Sequence, residues 1–344
     1  MLTGKQLNEI REHLEKAQNP LFFYDNDADG LCSYILLRKF IGRGKGVAVR
    51  SHPDVDVQYV RKVYELNADY IFVLDRPFLG KSFVEEISKL NLPIVWIDHH
   101  TTDEKYDYDN LFVYNPMKGS KKSDEPVTYW SYKVTGRVED SWLAVMGCIA
   151  DRYMPNFAQG LEKQYPEMWR KLKDPFDAYF GTELGKLARS LGFGLKDSIT
   201  NVIYLQNFLI SVTSPVDLLA ELDSSSSFAN KYKTIRKKYD LLIADSKKHV
   251  EDKMVFFSYG GDLSISSELS NELSYIYPKK YIIVAYINGP TSNVSMRGKG
   301  VRKILEKLLP SFERASGGGH EDAVGARLQT GDLERFKSGI EKEI

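Results

Sequence analysis

Three short apolar runs, PLFFYD (20–25), DYIFVLD (69–75) and PIVWID (93–98), each stop on an aspartate. Nearly continuous apolar runs of this length are the pattern of strands buried on both faces, which is how parallel strands sit. Between and around them lie segments of helical period, SYILLRKFIG (33–42), VQYVRKVYEL (57–66) and SFVEEISKL (82–90). Such alternation predicts βαβ units, and so an α/β fold built on a doubly wound, mainly parallel sheet. Ligands of these sheets bind beyond the carboxyl ends of the strands. Asp25, Asp75 and Asp98 are therefore expected to converge, although long stretches of chain separate them.

The same reading extends along the chain. GVAVRSH (46–52) and LFVYNP (111–116) are further strand candidates, followed by helices near 127–133 and 140–151. From Tyr153 to about residue 253 the chain turns to aromatic-rich helix and loop, and the stretch 223–253 reads as a serine-rich break leading into a long charged connector helix. A second, smaller α/β segment follows. MVFFSYG (254–260), KYIIVAYING (280–289), NVSMRG (293–298) and AVGARL are its strands, with a helix at 301–312 and another at the end. SGGGH (316–320) is expected to form a tight loop, because three consecutive glycines suit neither helix nor strand. The domain expectation is thus 1–153, a helical insert and connector over 154–252, and a C-terminal domain over 253–344.

Asp25, Asp27 and Asp29 alternate in DNDADG, and Asp98 is followed at once by His99 and His100. WLAVMGCIAD brings another apolar run to a carboxylate, Asp151. Acids crowded at one sheet edge repel unless cations neutralise them. Carboxylates with one or two imidazoles suit Mn²⁺ or Mg²⁺, with zinc and Fe²⁺ as alternatives, and a shared carboxylate can bridge two ions. Each piece has a bland reading. DNDADGLCSYIL opens like a calcium loop but places Leu36 where that loop needs its bidentate Glu. His99–His100 alone reads as a surface pair. His52, Asp54 and Asp56 in SHPDVDV have metal-like spacing, but Asp54 or Asp56 reads better as a helix N-cap.

DNDADG, VLD, IDHH and GCIAD, in that order, resemble the four motifs of the DHH phosphoesterase superfamily. SMRG followed by GGGHEDAVGARL resembles its associated C-terminal substrate-binding domain. The resemblance covers residues 20–151 and 254–330, and the D-x-D-x-D-G form of the first motif is similar to the compact, archaeal-type RecJ-like single-strand exonucleases. It implies two Mn²⁺ ions, Mg²⁺ being the alternative. Asp27 would serve one ion, Asp29 the other, Asp75 both, and His99 and Asp151 would complete the second site. Asp25 stands where other branches carry a histidine ligand. Asp98 would orient an imidazole, and His100 would face the scissile phosphate. Arg297 and His320, with the backbone of Gly317, Gly318 and Gly319, would hold substrate phosphates. Arg76, in a motif that continues as LDRP, would contact phosphate or pair with a neighbouring acid. No segment resembles the OB-fold that longer RecJ enzymes append.

The implied function is a two-metal phosphodiesterase degrading single-stranded DNA or RNA to mononucleotides. One alternative is a hydrolase of short oligonucleotides, cyclic dinucleotides or nucleoside bisphosphate. Another, of a different class, is a replication scaffold that binds a helicase or replication protein. Equal numbers of basic and acidic residues, 47 of each, argue against bulk electrostatic capture of duplex DNA while leaving room for a local basic groove. The two cysteines, Cys32 and Cys148, sit in apolar runs and read as free thiols of a reducing compartment. No apolar run approaches the ~20 residues of a membrane span, so the expectation is a cytoplasmic protein with no membrane partner.

Overall fold

The computed structural model describes residues 1–50, 54–101, 105–118 and 121–344. His52 lies outside the described residues. The chain divides into two compact units, Met1–Tyr232 and Lys233–Ile344. That boundary falls inside the helix read from sequence as a connector, so most of the helical segment packs within the first unit.

The strands of the first unit are β1 (Pro20–Asp25), β2 (Lys45–Val49), β3 (Asp54–Val55), β4 (Tyr70–Leu74), β5 (Phe78–Leu79), β6 (Ile94–Ile97) and β7 (Leu111–Tyr114). A five-stranded sheet runs in the order β2-β1-β4-β6-β7, parallel throughout, with β3 and β5 as a small separate pair. The helices are α1 (Gly4–Lys16), α2 (Ala28–Ile41), α3 (Val60–Glu65), α4 (Lys81–Lys89), α5 (Val127–Thr135) and α6 (Ser141–Ala150). Alternation along each strand divides them between the two faces. Leu21, Phe23, Ile71 and Val73 point to one face and pack with Val60 and Val63 of α3 and Phe83 and Ile87 of α4. Phe22 and Tyr24 point to the other, where both rings meet Tyr34 of α2. Each such fully buried Phe or Leu is worth about 1.5–3 kcal/mol over leaving it in water. The sheet is therefore doubly wound.

The rest of the unit is helical: α7 (Leu161–Gln164), α8 (Pro175–Gly181), α9 (Glu183–Leu195), α10 (Ile199–Ser211), α11 (Pro215–Asp223) and the start of α12 (Ser227–Ser246). α8 and α9 pack against α6. Trp169, from the aromatic-rich stretch, is buried, whereas Tyr204 is exposed. Asp56 caps a short 3₁₀ turn by accepting from Gln58 N at 3.1 Å, the ordinary role expected of it. Among the described residues, no helix is long and apolar enough to cross a membrane.

The second unit holds β8 (Met254–Gly260), β9 (Tyr281–Asn288), β10 (Thr291–Arg297), β11 (Ser316–His320) and β12 (Ala323–Gln329), ordered β11-β12-β10-β9-β8. In this sheet only the β8–β9 pairing is parallel. α14 (Val301–Leu308) and α15 (Leu333–Glu343) share a core with one face, through Leu305, Phe336 and Ile340 against Met254, Ile283 and Met296. α13 (Ser266–Ile276) packs on β9 and β10.

One expectation is corrected here. SGGGH is not a loop but the exposed edge strand β11, paired antiparallel to β12. Missing side chains permit the pairing: a Cβ on Gly319 would lie 2.5 Å from the Ala323 carbonyl oxygen, and its φ of +142° is one that L residues rarely adopt.

Candidate metal centre

Register sets the site. Tyr24, Leu74, Ile97 and Tyr114 pair across β1, β4, β6 and β7. The next residue on each chain segment stands at the carboxyl end of the ladder: Asp25, still paired with Val49 of β2, then Asp75, Asp98 and Asn115. Neighbouring strands lie about 4.8 Å apart, so four polar side chains line the carboxyl edge in a row. The sequence reading missed Asn115, although LFVYNP contains it, because it counted acids only. Asn115 Nδ2 donates to Asp98 Oδ2 at 3.2 Å and to the His100 carbonyl at 2.9 Å.

The remaining carboxylates come from helix ends. Asp27 is the N-cap of α2 and accepts from Gly30 N at 2.9 Å. Gly30 is needed because a Cβ there would lie 2.5 Å from the Asp25 carbonyl oxygen and 2.6 Å from its nitrogen. Only glycine lets α2 start so close to the end of β1. Asp29, in the first turn of α2, is buried and reaches a different helix: its oxygens accept from Val127 N at 2.9 Å and Thr128 N at 2.7 Å, the first amides of α5. Those amides have no partners inside α5, and the helix dipole favours an anion there. Asp151 closes α6. α6 reaches α5 because Gly147 faces Thr128, whose Oγ1 would be 2.3 Å from a Cβ.

The ligand atoms then fall into groups within 4.8 Å of one another: Asp25, Asp27 and Asp75; Asp29, His99 and Asp151; Asp75, His99 and His100. Asp75 belongs to two groups and His99 to two. His99 Nδ1 faces the Asp124 carbonyl at 3.2 Å, an acceptor, so that nitrogen carries a proton and Nε2 is the atom turned to the acids. Nε2 lies 3.4 Å from both Asp75 Oδ1 and Asp151 Oδ2. His100 Nδ1 lies 2.8 Å from Asp98 Oδ1, and His100 N donates to Asp98 Oδ2 at 2.9 Å, which fixes the ring. Asp75 adopts φ +58°, left-handed backbone that costs about 1–3 kcal/mol and gathers at functional sites. Arg76 is buried and pairs with Asp25 at 2.5 Å.

Electrostatics describe a centre short of positive charge. Burial, then Asp25 and Asp29, push the Asp27 carboxyl well above the carboxylate range, even though the side chain keeps contact with water. Burial, then Asp29 and Asp27, do the same to Asp75, against the opposing His99. Asp151 is pushed up to about 6, first by burial. Burial alone would lower His99, but contact with Asp75 and the charges of Asp151 and Asp29 outweigh it and raise the imidazole well above its usual value. Asp75 Oδ1 is buried with no hydrogen-bond partner among the described residues. A buried carboxylate oxygen without a hydrogen bond, facing an imidazole nitrogen and four further acids, belongs to the donor set of hard divalent cations once the protons leave. The residues fit a pair of such ions.

In the second unit Arg297 is buried, with Nε donating to Asn271 Oδ1 at 2.7 Å and Nη2 to Ser267 Oγ at 3.0 Å. Arg297 and His320 both stand opposite Ala323, on β10 and β11, which puts them in one row on the same face of the sheet. Gly317, Gly318 and Gly319 lie on the same edge strand as His320.

Residues 21–136 match the model of the DHH family, N-terminal domain. Nothing among the curated proteins matches the chain. Three solved structures are similar in fold. RecJ from Thermus thermophilus in complex with Mn²⁺ superposes with a TM-score of 0.66 at 15% identity, over 99% of this chain and 55% of that one. The chain thus spans about half the length of that RecJ. The DHH domain of a protein described as a member of a family of ribosomal proteins gives 0.68 at 17% identity, over 98% and 89%. An exonuclease RecJ bound to manganese gives 0.60 at 15% identity, over 99% and 95%.

Proposed function

We propose, from the match of residues 21–136 to the model of the DHH family, N-terminal domain, and from the geometry of the site, that this chain is a metal-dependent phosphodiesterase that trims single-stranded DNA or RNA from an end. The observation that carries the reading is the buried Asp75 Oδ1, which makes no hydrogen bond among the described residues and stands 3.4 Å from His99 Nε2 at the meeting point of two ligand groups.

Asp25, Asp27 and Asp75 would hold one Mn²⁺ or Mg²⁺ ion, and Asp29, Asp75, His99 and Asp151 the other. Ions bound there would supply Lewis acidity, stabilising phosphoryl charge and lowering the pKa of a bound water. The protein's own contribution is orientation. Asp98, anchored by Asn115, accepts from His100 Nδ1–H and orients the ring, so that the doubly protonated imidazole would give its Nε2 proton to the leaving oxygen. Arg76, paired with Asp25, sets the rotamer of a ligand and offers no separate phosphate contact in this reading. Arg297, His320 and the Gly317–Gly319 backbone would take substrate phosphates, the exposed strand β11 carrying no side chain at its three glycines.

The test is to incubate the protein with Mn²⁺ and end-labelled DNA and RNA strands, from dinucleotides to roughly forty nucleotides, each blocked at one end. Stepwise loss of mononucleotides by the wild type, abolished in Asp75→Ala, is the expected result. Equal cleavage by Asp75→Ala removes the metal centre from the mechanism, and attack on dinucleotides alone turns the reading towards a short-substrate hydrolase.

A further inference from the structure

Arg189 of α9 is anomalous. Its Nε and Nη1 are buried and find no hydrogen-bond acceptor among the described residues. Its guanidinium carbon lies 5.3 Å from the Phe180 ring centroid and 5.5 Å from that of Tyr179, both on α8. A purely structural arginine in such a place would spend its donors on carbonyl oxygens or carboxylates. Here two nitrogens of a cation are desolvated and unspent.

The surroundings point to a ligand. Phe180 meets Phe176 at 5.6 Å and Tyr179 at 5.0 Å, both edge-on, and all three rings are only partly buried. A second guanidinium, Arg152, sits 4.3 Å over Phe176. Arg152 directly follows Asp151 and takes left-handed backbone, φ +58°. A cation–aromatic ladder, Arg152–Phe176–Phe180–Arg189, therefore leaves the metal centre from its Asp151 corner along helices packed on α6. Alternating arginines and rings suit an alternating ligand, with phosphate oxygens on guanidinium and bases on aromatic faces.

Resting on the phosphodiesterase reading, we infer that Arg189 and the α8 rings form a subsite for the backbone of single-stranded nucleic acid, beyond the nucleotide at the metal centre. The subsite would explain what the helical segment adds to residues 25–151, which already hold every proposed metal ligand.

The experiment uses the full chain with Mn²⁺ and a hydrolysis-resistant phosphorothioate strand of about twelve nucleotides, in DNA and RNA versions, with affinity read by fluorescence anisotropy across a salt series. Arg189→Gln is expected to weaken binding roughly tenfold and to reduce the slope of log affinity against log salt by about 0.7, the value for one lost phosphate contact on a single strand. Arg189→Lys, which keeps the charge and guards against a folding defect, should keep the slope and recover part of the affinity. Wild-type affinity and slope in both variants would mean that Arg189 does not touch the strand, and would overturn the subsite even if hydrolysis is intact. Wild-type hydrolysis of an unmodified strand, run in parallel, judges the phosphodiesterase reading separately.

Discussion

Gly30 shows how little latitude single positions have here. Gly30→Ala would drive a methyl into the Asp25 backbone, and relieving that overlap must separate α2 from β1. We expect a loss of about 1–3 kcal/mol in urea unfolding, with Mn²⁺ affinity, followed by calorimetry, falling as Asp27 and Asp29 move with the helix. His100 offers a cleaner chemical test. His100→Gln should lower kcat by about 10²–10⁴-fold with a smaller loss of Mn²⁺ affinity than Asp75→Ala causes, because its ring is hydrogen-bonded to Asp98 and stands 3.9 Å from Asp75 Oδ1. pH adds a third. A carboxyl raised to about 6 in the fold, against about 3.9 in an unfolded chain, binds its proton more tightly when folded. Stability contributed by Asp151 is therefore present at low pH and lost as pH climbs from about 4 to 6. Asp27, Asp75 and His99 are shifted upward too and act in the same direction. Metal-free protein should melt lower at pH 7 than at pH 5, and added Mn²⁺ should raise the melting temperature more at pH 7, where fewer protons must leave the ligands.

Elements carry the part of the design that periodicity exposes, and part that it hides. Apolar runs ending in aspartate gave away β1, β4 and β6, because burial on both faces leaves few residue types for a parallel strand and abrupt polarity marks its end. Asn115 escaped because an amide after β7 looks like any turn residue until register places it in the row with Asp25, Asp75 and Asp98. Asp29 was legible as an acid, but its grip on the α5 amides was not, since those partners lie 98 and 99 residues away. Edge strand β11 was misread because propensity treats glycine as a strand breaker, whereas here the absent Cβ is what lets the strand approach β12. The contrast is testable: a Cβ on Gly318 would meet nothing within 4 Å, one on Gly319 a carbonyl at 2.5 Å. Gly318→Ala should stay within about 0.5 kcal/mol of wild type, while Gly319→Ala should cost more than about 1 kcal/mol and speed amide exchange along β11.

For the molecule as a whole, ligand atoms and reporter groups are conveniently partitioned. Every residue of the three ligand groups belongs to Met1–Tyr232, as do all four tryptophans, Trp96, Trp130, Trp142 and Trp169. Mn²⁺ should therefore raise the melting midpoint read by tryptophan fluorescence, with amide protection in β8–β12 changing much less; an equal gain in both units would mean that the metal acts beyond its own unit. Division of the chain at Tyr232 was not legible, since α12 runs through it without a break in pattern. Arg189 was equally invisible, one basic residue among 47 until its neighbours were known. Asp29, finally, answers to two masters, a helix terminus and a corner of the metal centre, whereas among the described residues Asp151 is ion-paired with His99 alone. Descendants released from selection for chemistry would then shed the counterpart of Asp151 early and keep that of Asp29 late, so a surviving acid at position 29 is poor testimony that such a descendant is still an enzyme.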